Sequence, residues 1–257
     1  MLFFLRVAAG AAAGVASAWL MERLGGVRRW TQFRADWFEP TAHGSLVLLA
    51  LWPMALLFPA AMPFGLGQVL ERLEGALVEL LAGTPFLDWL PVRETPLQPL
   101  SPVAELLCVA LGLLVPCLLA YGMVRHIGRR VVLVLIIAVA GVGATALSAA
   151  LSYGPAHAWA WLGLPARVGI WVGLVLAALL VALPQRASAV LLLLVLAIQL
   201  GLLNDAPTSA YFAQTLLTWE QGRFIRFYGL GQWLGWLWPY ATLVYVLLRA
   251  SRRSHAS

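Results

Sequence analysis

Few residues in this chain are equipped for chemistry, and they lie far apart. One carboxylate, Glu105, falls inside a long apolar run. An acid there is a candidate proton relay or ion ligand, because a charge held in hydrocarbon is costly and is kept for a purpose. It lies about one turn into its segment, near enough to the interface to stay hydrated. Arg6 would enter the membrane from the same side and could pair with it. A second constellation combines His157, Trp159, Trp161 and Arg167 with Asp205, Tyr211, Trp219, Glu220, Gln221, Arg223 and Arg226. Aromatic rings beside arginines and carboxylates make a shelf suited to a lipid headgroup, a phosphate or a sugar, with guanidinium forks on the anion. The plainer explanation is that Trp and Tyr collect at membrane interfaces and that Glu220 and Arg223 form a local i, i+3 pair.

Other reaction types lack their residues. His43, His126 and His157 fall in three separate stretches, and no His, Cys or carboxylate cluster has metal-ligand spacing, so no metal is expected. No Gly-x-Ser-x-Gly elbow and no phosphate-cradling glycine loop occurs, and no cofactor is expected. The absence of Lys removes Schiff-base chemistry. Cys108 and Cys117 stand nine residues apart, roughly 13 Å along a helix. That is too far for a disulfide, and they read as buried thiols. The arginines are scattered over connecting stretches, which argues against nucleic acid and for anionic lipid beside the membrane.

The elements that must position these residues are membrane helices. Of 257 residues, 62% are hydrophobic and 11% charged, where a soluble domain carries about 25% charged; mean hydropathy is +0.86. Seven apolar segments approach the ~20 residues that cross a bilayer as a helix: Leu2–Leu20, Ser45–Ala61, Pro102–Met123, Val131–Leu151, Val168–Leu183, Ala187–Leu203 and Gly231–Leu248. The alternating segments of a membrane β-barrel are missing. The expected fold is all-α: a polytopic helical membrane protein with about seven transmembrane helices in one domain, divisible into 1–61, an interfacial 62–101, and 102–257. Ala16-Ser17-Ala18 imitates a signal-peptide cleavage site, but Arg23, Arg28, Arg29 and Arg34 follow closely and resist translocation. An uncleaved helix is expected.

Seven helices sort the arginines by side. Eleven fall on one face and five on the other, spread over longer loops, with Arg6 inside the first helix. The positive-inside rule then puts the N-terminus out and the C-terminus in. The two longer outer loops are expected to hold amphipathic helices. In Pro63–Leu100, leucines recur at helical spacing opposite Glu71, Glu74 and Glu79, before a proline-rich return. In Asn204–Leu230, Asp205, Thr208 or Ser209 would cap a short helix. Small residues recur on Gly10, Gly14 and Ala18, on Gly141, Thr145, Ser148 and Ser152, and on Gly231 and Gly235. Such stripes let helices approach closely in lipid. Pro239 should free the Gly235 carbonyl and bend its helix.

With these residues in view, the chain resembles the C-terminal membrane region of long VanZ-like family proteins. The resemblance runs through Trp19–Gly26, Ala55–Ala60, Pro63–Val69, Ala150–Pro155, Tyr211–Leu216 and Trp219–Phe227. The defining VanZ-like region would lie upstream. This chain would keep only its last helix, with Gly10 and Gly14 matching paired glycines but Phe3 and Val7 where the family has Asp and Asn. The resemblance implies a truncated product or a free-standing relative of that tail. It further implies a cell-envelope role connected with glycopeptide tolerance, and the expected reading is a bacterial inner-membrane protein that is more a binding than an enzymatic one. Expected partners are membrane lipids, a lipid or glycan headgroup, or other membrane helices. Two other classes fit the residues: a small carrier or flippase lined by Glu105, Arg6 and the small face of Gly141–Ser152, and a transferase acting on a lipid-linked substrate with Glu220 or Asp205 as base.

Overall fold

A computed structural model describes residues 26–39, 42–58, 60, 62–86, 100–206 and 225–254, with 26–30, 33, 153, 225–228 and 252–254 described by backbone alone. The expected first span with Arg6, the proline-rich return at 87–99, and 207–224 with Trp219, Glu220 and Arg223 lie outside the described residues. The chain divides into two compact units, Met1–Ala42 and His43–Ser257. In the first, the arginine-rich stretch expected as a loop is a helix, α1 (Gly26–Trp37), with Arg34 in its last turn. A cation there suits the negative end of the helix dipole.

Among its described residues the second unit has helices α2 (His43–Ala55), α3 (Leu70–Leu81), α4 (Pro102–Tyr121), α5 (Ile127–Tyr153), α6 (Leu164–Leu179), α7 (Gln185–Asn204) and α8 (Ile225–Ser254) and no strand. A short 3-10 turn, Pro155–His157, follows α5. The bundle is built on α4, which packs against α6 and α7 most extensively and also against α2 and α5. Ser101 starts α4 by accepting the Ala104 N–H at 3.3 Å, with Pro102 at the first helical position. From Cys108 to Tyr121 only Leu111 escapes full burial, and both cysteines are free and buried. A helix apolar on all sides belongs in the middle of a bundle.

Among the described residues three helices are long and apolar enough to cross a membrane: Pro102–Tyr121, Ile127–Ser152 and Gln185–Asn204. Helices α2 and α6 are apolar but shorter. At 30 residues α8 is long enough, but its Trp, Tyr and Gln residues dilute its apolarity. The outer helices carry exposed apolar stripes, such as Val132, Leu135, Ile136 and Val139 on α5 and Val190, Leu194 and Ile198 on α7. A helical membrane protein presents such stripes to lipid.

Close approaches set the packing. A Cβ added at Gly169 would lie 2.8 Å from the Leu106 carbonyl, and one at Gly173 would lie 2.9 Å from that of Ala110. With Ala166 and Ala177 buried on the same face, α6 therefore lies backbone-to-backbone on α4. Gly235 meets Phe58, seating α8 against the end of α2 as its spacing predicted.

One segment departs from the expected pattern. The residues after Pro63 were expected in an outer loop, yet Phe64–Gly67 are buried as irregular backbone inside the bundle. Irregular chain survives at membrane depth only where the protein satisfies its polar groups. Here Gly67 N–H donates to the Gly235 carbonyl at 2.9 Å, the acceptor that Pro239 sets free. The Gly67 carbonyl accepts from Tyr240 Oη at 3.0 Å and Asn204 Nδ2 at 3.3 Å. Gln199 Nε2 donates to the Phe64 carbonyl at 3.2 Å, and Gln68 Nε2 to that of Ala206 at 2.9 Å. Asn204 Oδ1 accepts the Val69 and Leu70 N–H groups at 3.1 and 3.0 Å. It thereby caps α3 from a different helix, because Val69 supplies no side-chain cap.

Candidate functional site

Phe64, with Met62 and Pro63 before it, lines a cleft of about 400 Å³ at the N-terminal end of α4. Phe64 stands at φ 59, in the left-handed region, which costs a bulky residue of order 1–3 kcal/mol. Its ring stacks on Trp52 at 6.0 Å and 10°, and meets Trp161 edge-on at 6.1 Å and 85°. Its backbone crosses α4 at Gly112, where an added Cβ would lie 2.7 Å from the Phe64 carbonyl. Gly141 of α5 makes room for the rings of Trp52 and Phe64. Aromatic contacts on two sides thus hold a strained residue in place.

The polar lining comes from three elements. Glu105 projects half-buried from the first turn of α4. From α5 come Thr145 and Ser148; Ser148 Oγ donates to the Leu57 carbonyl at 2.9 Å, tying α5 to the end of α2. The third element is the α5–α6 connection. Gly154, at φ 93, turns the chain into the 3-10 turn that brings His157 and Trp161 to the cleft. Two buried polar atoms there, Thr145 Oγ1 and Trp161 Nε1, have no hydrogen-bond partner among the described residues. A buried donor left unpaired costs about 1–3 kcal/mol, so such atoms are normally satisfied by something.

The site therefore differs from the one spacing suggested. Glu105 and His157, read as belonging to separate features, line one cleft. Asp205 ends α7, its N–H bonded to the Gly201 and Leu203 carbonyls, and is not part of the lining. Its neighbour Asn204 does the structural work. Arg226 lies in the first turn of α8 and is described by backbone alone; Trp219, Glu220, Arg223 and Arg6 are outside the described residues. Among the described residues no group of three His, Cys, Asp or Glu is placed to hold a metal ion. No protein-family model, curated protein or solved structure matches the chain.

The sequence reading also missed Arg130. Counted as a surface charge, it is 3% exposed. Its guanidinium donates to the carbonyls of Val124 at 2.8 Å, Val181 at 2.8 Å, Leu183 at 2.6 Å and Tyr121 at 3.0 Å. These are the orphan acceptors beyond the C-terminal ends of α4 and α6, where a cation is favoured. Its position nine residues after a helix end in sequence gave no signal of this.

Proposed function

We propose that this is a multi-pass bacterial inner-membrane protein of the cell envelope that holds the polar headgroup of an amphiphile, a lipid or a glycan carried on one, in the Phe64 cleft. The observation that carries the reading is the pair of buried, unpartnered polar atoms, Thr145 Oγ1 and Trp161 Nε1, in a cleft also lined by Glu105 and His157. Apolar and aromatic walls with a few convergent polar groups are the usual makeup of a small-molecule site. Two of the stretches behind the VanZ-like resemblance support it too, since Leu56, Phe58 and Ala60 of one and Pro63 and Phe64 of the other line this cleft. Seven spans, with the first apolar segment, α2, α6 and α8 joining α4, α5 and α7, remain the proposed topology. Reporter fusions at Ser257 should give a cytoplasmic signal; a periplasmic one would reverse the orientation.

The test is mass spectrometry of protein extracted gently from its native membrane. Wild type should carry a bound amphiphile, and Thr145→Val and Glu105→Gln should each lose most of it while keeping the thermal transition within a few degrees. An equal load on all three proteins would remove the cleft from the function. A second reading has one observation in its favour, a carboxylate and an imidazole lining one cleft, which is the equipment of acid–base transfer on a lipid-linked substrate. Under that reading Glu105→Gln and His157→Ala would retain the amphiphile unconverted.

A further inference from the structure

A second cleft, of about 350 Å³, opens at the other end of α4 between α2, α7 and α8. Its walls are hydrocarbon, from Leu118, Leu119, Leu192 and Val246, and its polar groups include Arg186, Arg249 and Gln185, with no Asp or Glu among the described lining residues. Arg249 Nη1 donates to Ser45 Oγ at 3.3 Å, and Ser45 Oγ donates to Tyr245 Oη at 3.0 Å. That chain leaves the phenolic proton of Tyr245 for another acceptor. Gln185 Nε2 is buried with no hydrogen-bond partner among the described residues. It stands in the first turn of α7, whose cap position is Pro184 and carries no side-chain cap. The N–H groups of an uncapped helix start are further donors at the positive end of the helix dipole.

Two guanidinium groups, an unpaired amide and a helix start on apolar walls call for one kind of guest: an anionic acceptor with a hydrocarbon body. We propose that this cleft binds the phosphodiester of an anionic phospholipid, gripped by Arg186 and Arg249, with an acyl chain against Leu118, Leu119 and Leu192. Guanidinium forks match phosphate oxygens two at a time. The apolar walls favour a lipid over free phosphate, since an inorganic anion would leave them without a partner. A choline headgroup adds a cation that the two arginines repel, so the site should discriminate on net charge.

Thermal unfolding of the full chain in detergent, with added dioleoylphosphatidylglycerol, dioleoylphosphatidylcholine or inorganic phosphate, tests this. The anionic lipid should raise the transition saturably at concentrations where the choline lipid does not. Arg186→Gln should weaken its apparent affinity on the order of tenfold, the scale of a lost charge-assisted contact. Arg186→Gln with Arg249→Gln should abolish the preference, whereas Arg125→Gln, which removes the same charge from the same end outside the cleft, should keep it. Equal effects of the two lipids, or a preference that survives the double variant, would overturn the proposal. Stabilisation by phosphate alone, with nothing added by the lipid, would overturn the lipid assignment. If the double variant does not fold, the exposed Arg186 permits the single variant, read by counting phosphatidylglycerol adducts in native mass spectrometry; an unchanged count would be equally fatal.

Discussion

Arg130 meets four carbonyl oxygens with three nitrogens of one planar group, and its guanidinium carbon lies 5.3 Å from the Tyr121 ring centroid. Lysine has three donors on one atom and cannot span the ends of α4 and α6. Arg130→Ala should therefore cost about 3 kcal/mol or more, through several buried acceptors left unpaired, and Arg130→Lys should recover only part of that. Unfolding midpoints in detergent would show it. A loss no greater than that of Arg125→Ala, at an exposed neighbour, would mean that the carbonyl contacts carry little. The same scale shows what the sequence conceals. Arg130 belongs to an Arg-Arg pair that fits the positive-inside pattern, and nothing in its neighbours signals that it is the one buried against two helix ends. Asp205 attracted notice for its charge, yet Asn204 is the better choice for its place. An amide can donate to the Gly67 and Leu200 carbonyls while accepting two N–H groups, and a carboxylate cannot.

At the scale of elements, helix existence was legible and helix contact only in part. Apolar runs and proline positions located α4, α5 and α7 to within a few residues, because a membrane helix must close its own hydrogen bonds and so reveals its length. Of the Gly231 and Gly235 pair expected to form a close seat, Gly235 does so, with an added Cβ 3.2 Å from Phe58, whereas Gly231 stands off at 3.9 Å; Pro239 pointed to a freed carbonyl. The tighter contact, α6 on α4, went unread because Gly169 and Gly173 sit in a run of Val, Leu and Trp that suggests only a span. The buried course of Phe64–Gly67 was hidden for another reason: its satisfaction comes from Gln199, Asn204, Gly235 and Tyr240, more than a hundred residues away. The α4–α6 seat yields a sharp contrast. Gly173→Leu would drive a side chain into the Ala110 backbone and should cost about 1–3 kcal/mol. Gly143, with nothing within 4 Å of its added Cβ, should accept Ala with no loss or a gain of about 0.5–1 kcal/mol. Equal stabilities for the two variants would show that the helices slide apart freely.

For the whole molecule, the question is which surfaces meet hydrocarbon. Helix α5 has 27 residues, roughly 40 Å, longer than a ~30 Å hydrocarbon core and therefore tilted or projecting at an end. Its midpoint falls near Val139, which is 74% exposed. Leu80 of α3 is as open, at 76%, but lies on a 12-residue helix with glutamates at 71, 74 and 79 and no buried residue. Exposure alone does not separate the two sites; their solvent does. If the stripe on α5 faces lipid, Val139→Arg places a charge at the bilayer centre, at about 2.5–3.5 kcal/mol on insertion scales. Leu80→Arg, on a helix in the interface plane, can reach water along its own length and should cost little. The expected outcome is a marked drop in membrane-integrated protein for Val139→Arg, measured by carbonate extraction and folded yield, against near wild-type amounts for Leu80→Arg. The reverse result would place α3 deeper than α5 and dissolve the bundle's orientation in the membrane. Equal tolerance would mean that the α5 stripe is covered by protein, and the partner would then have to be another helix rather than lipid.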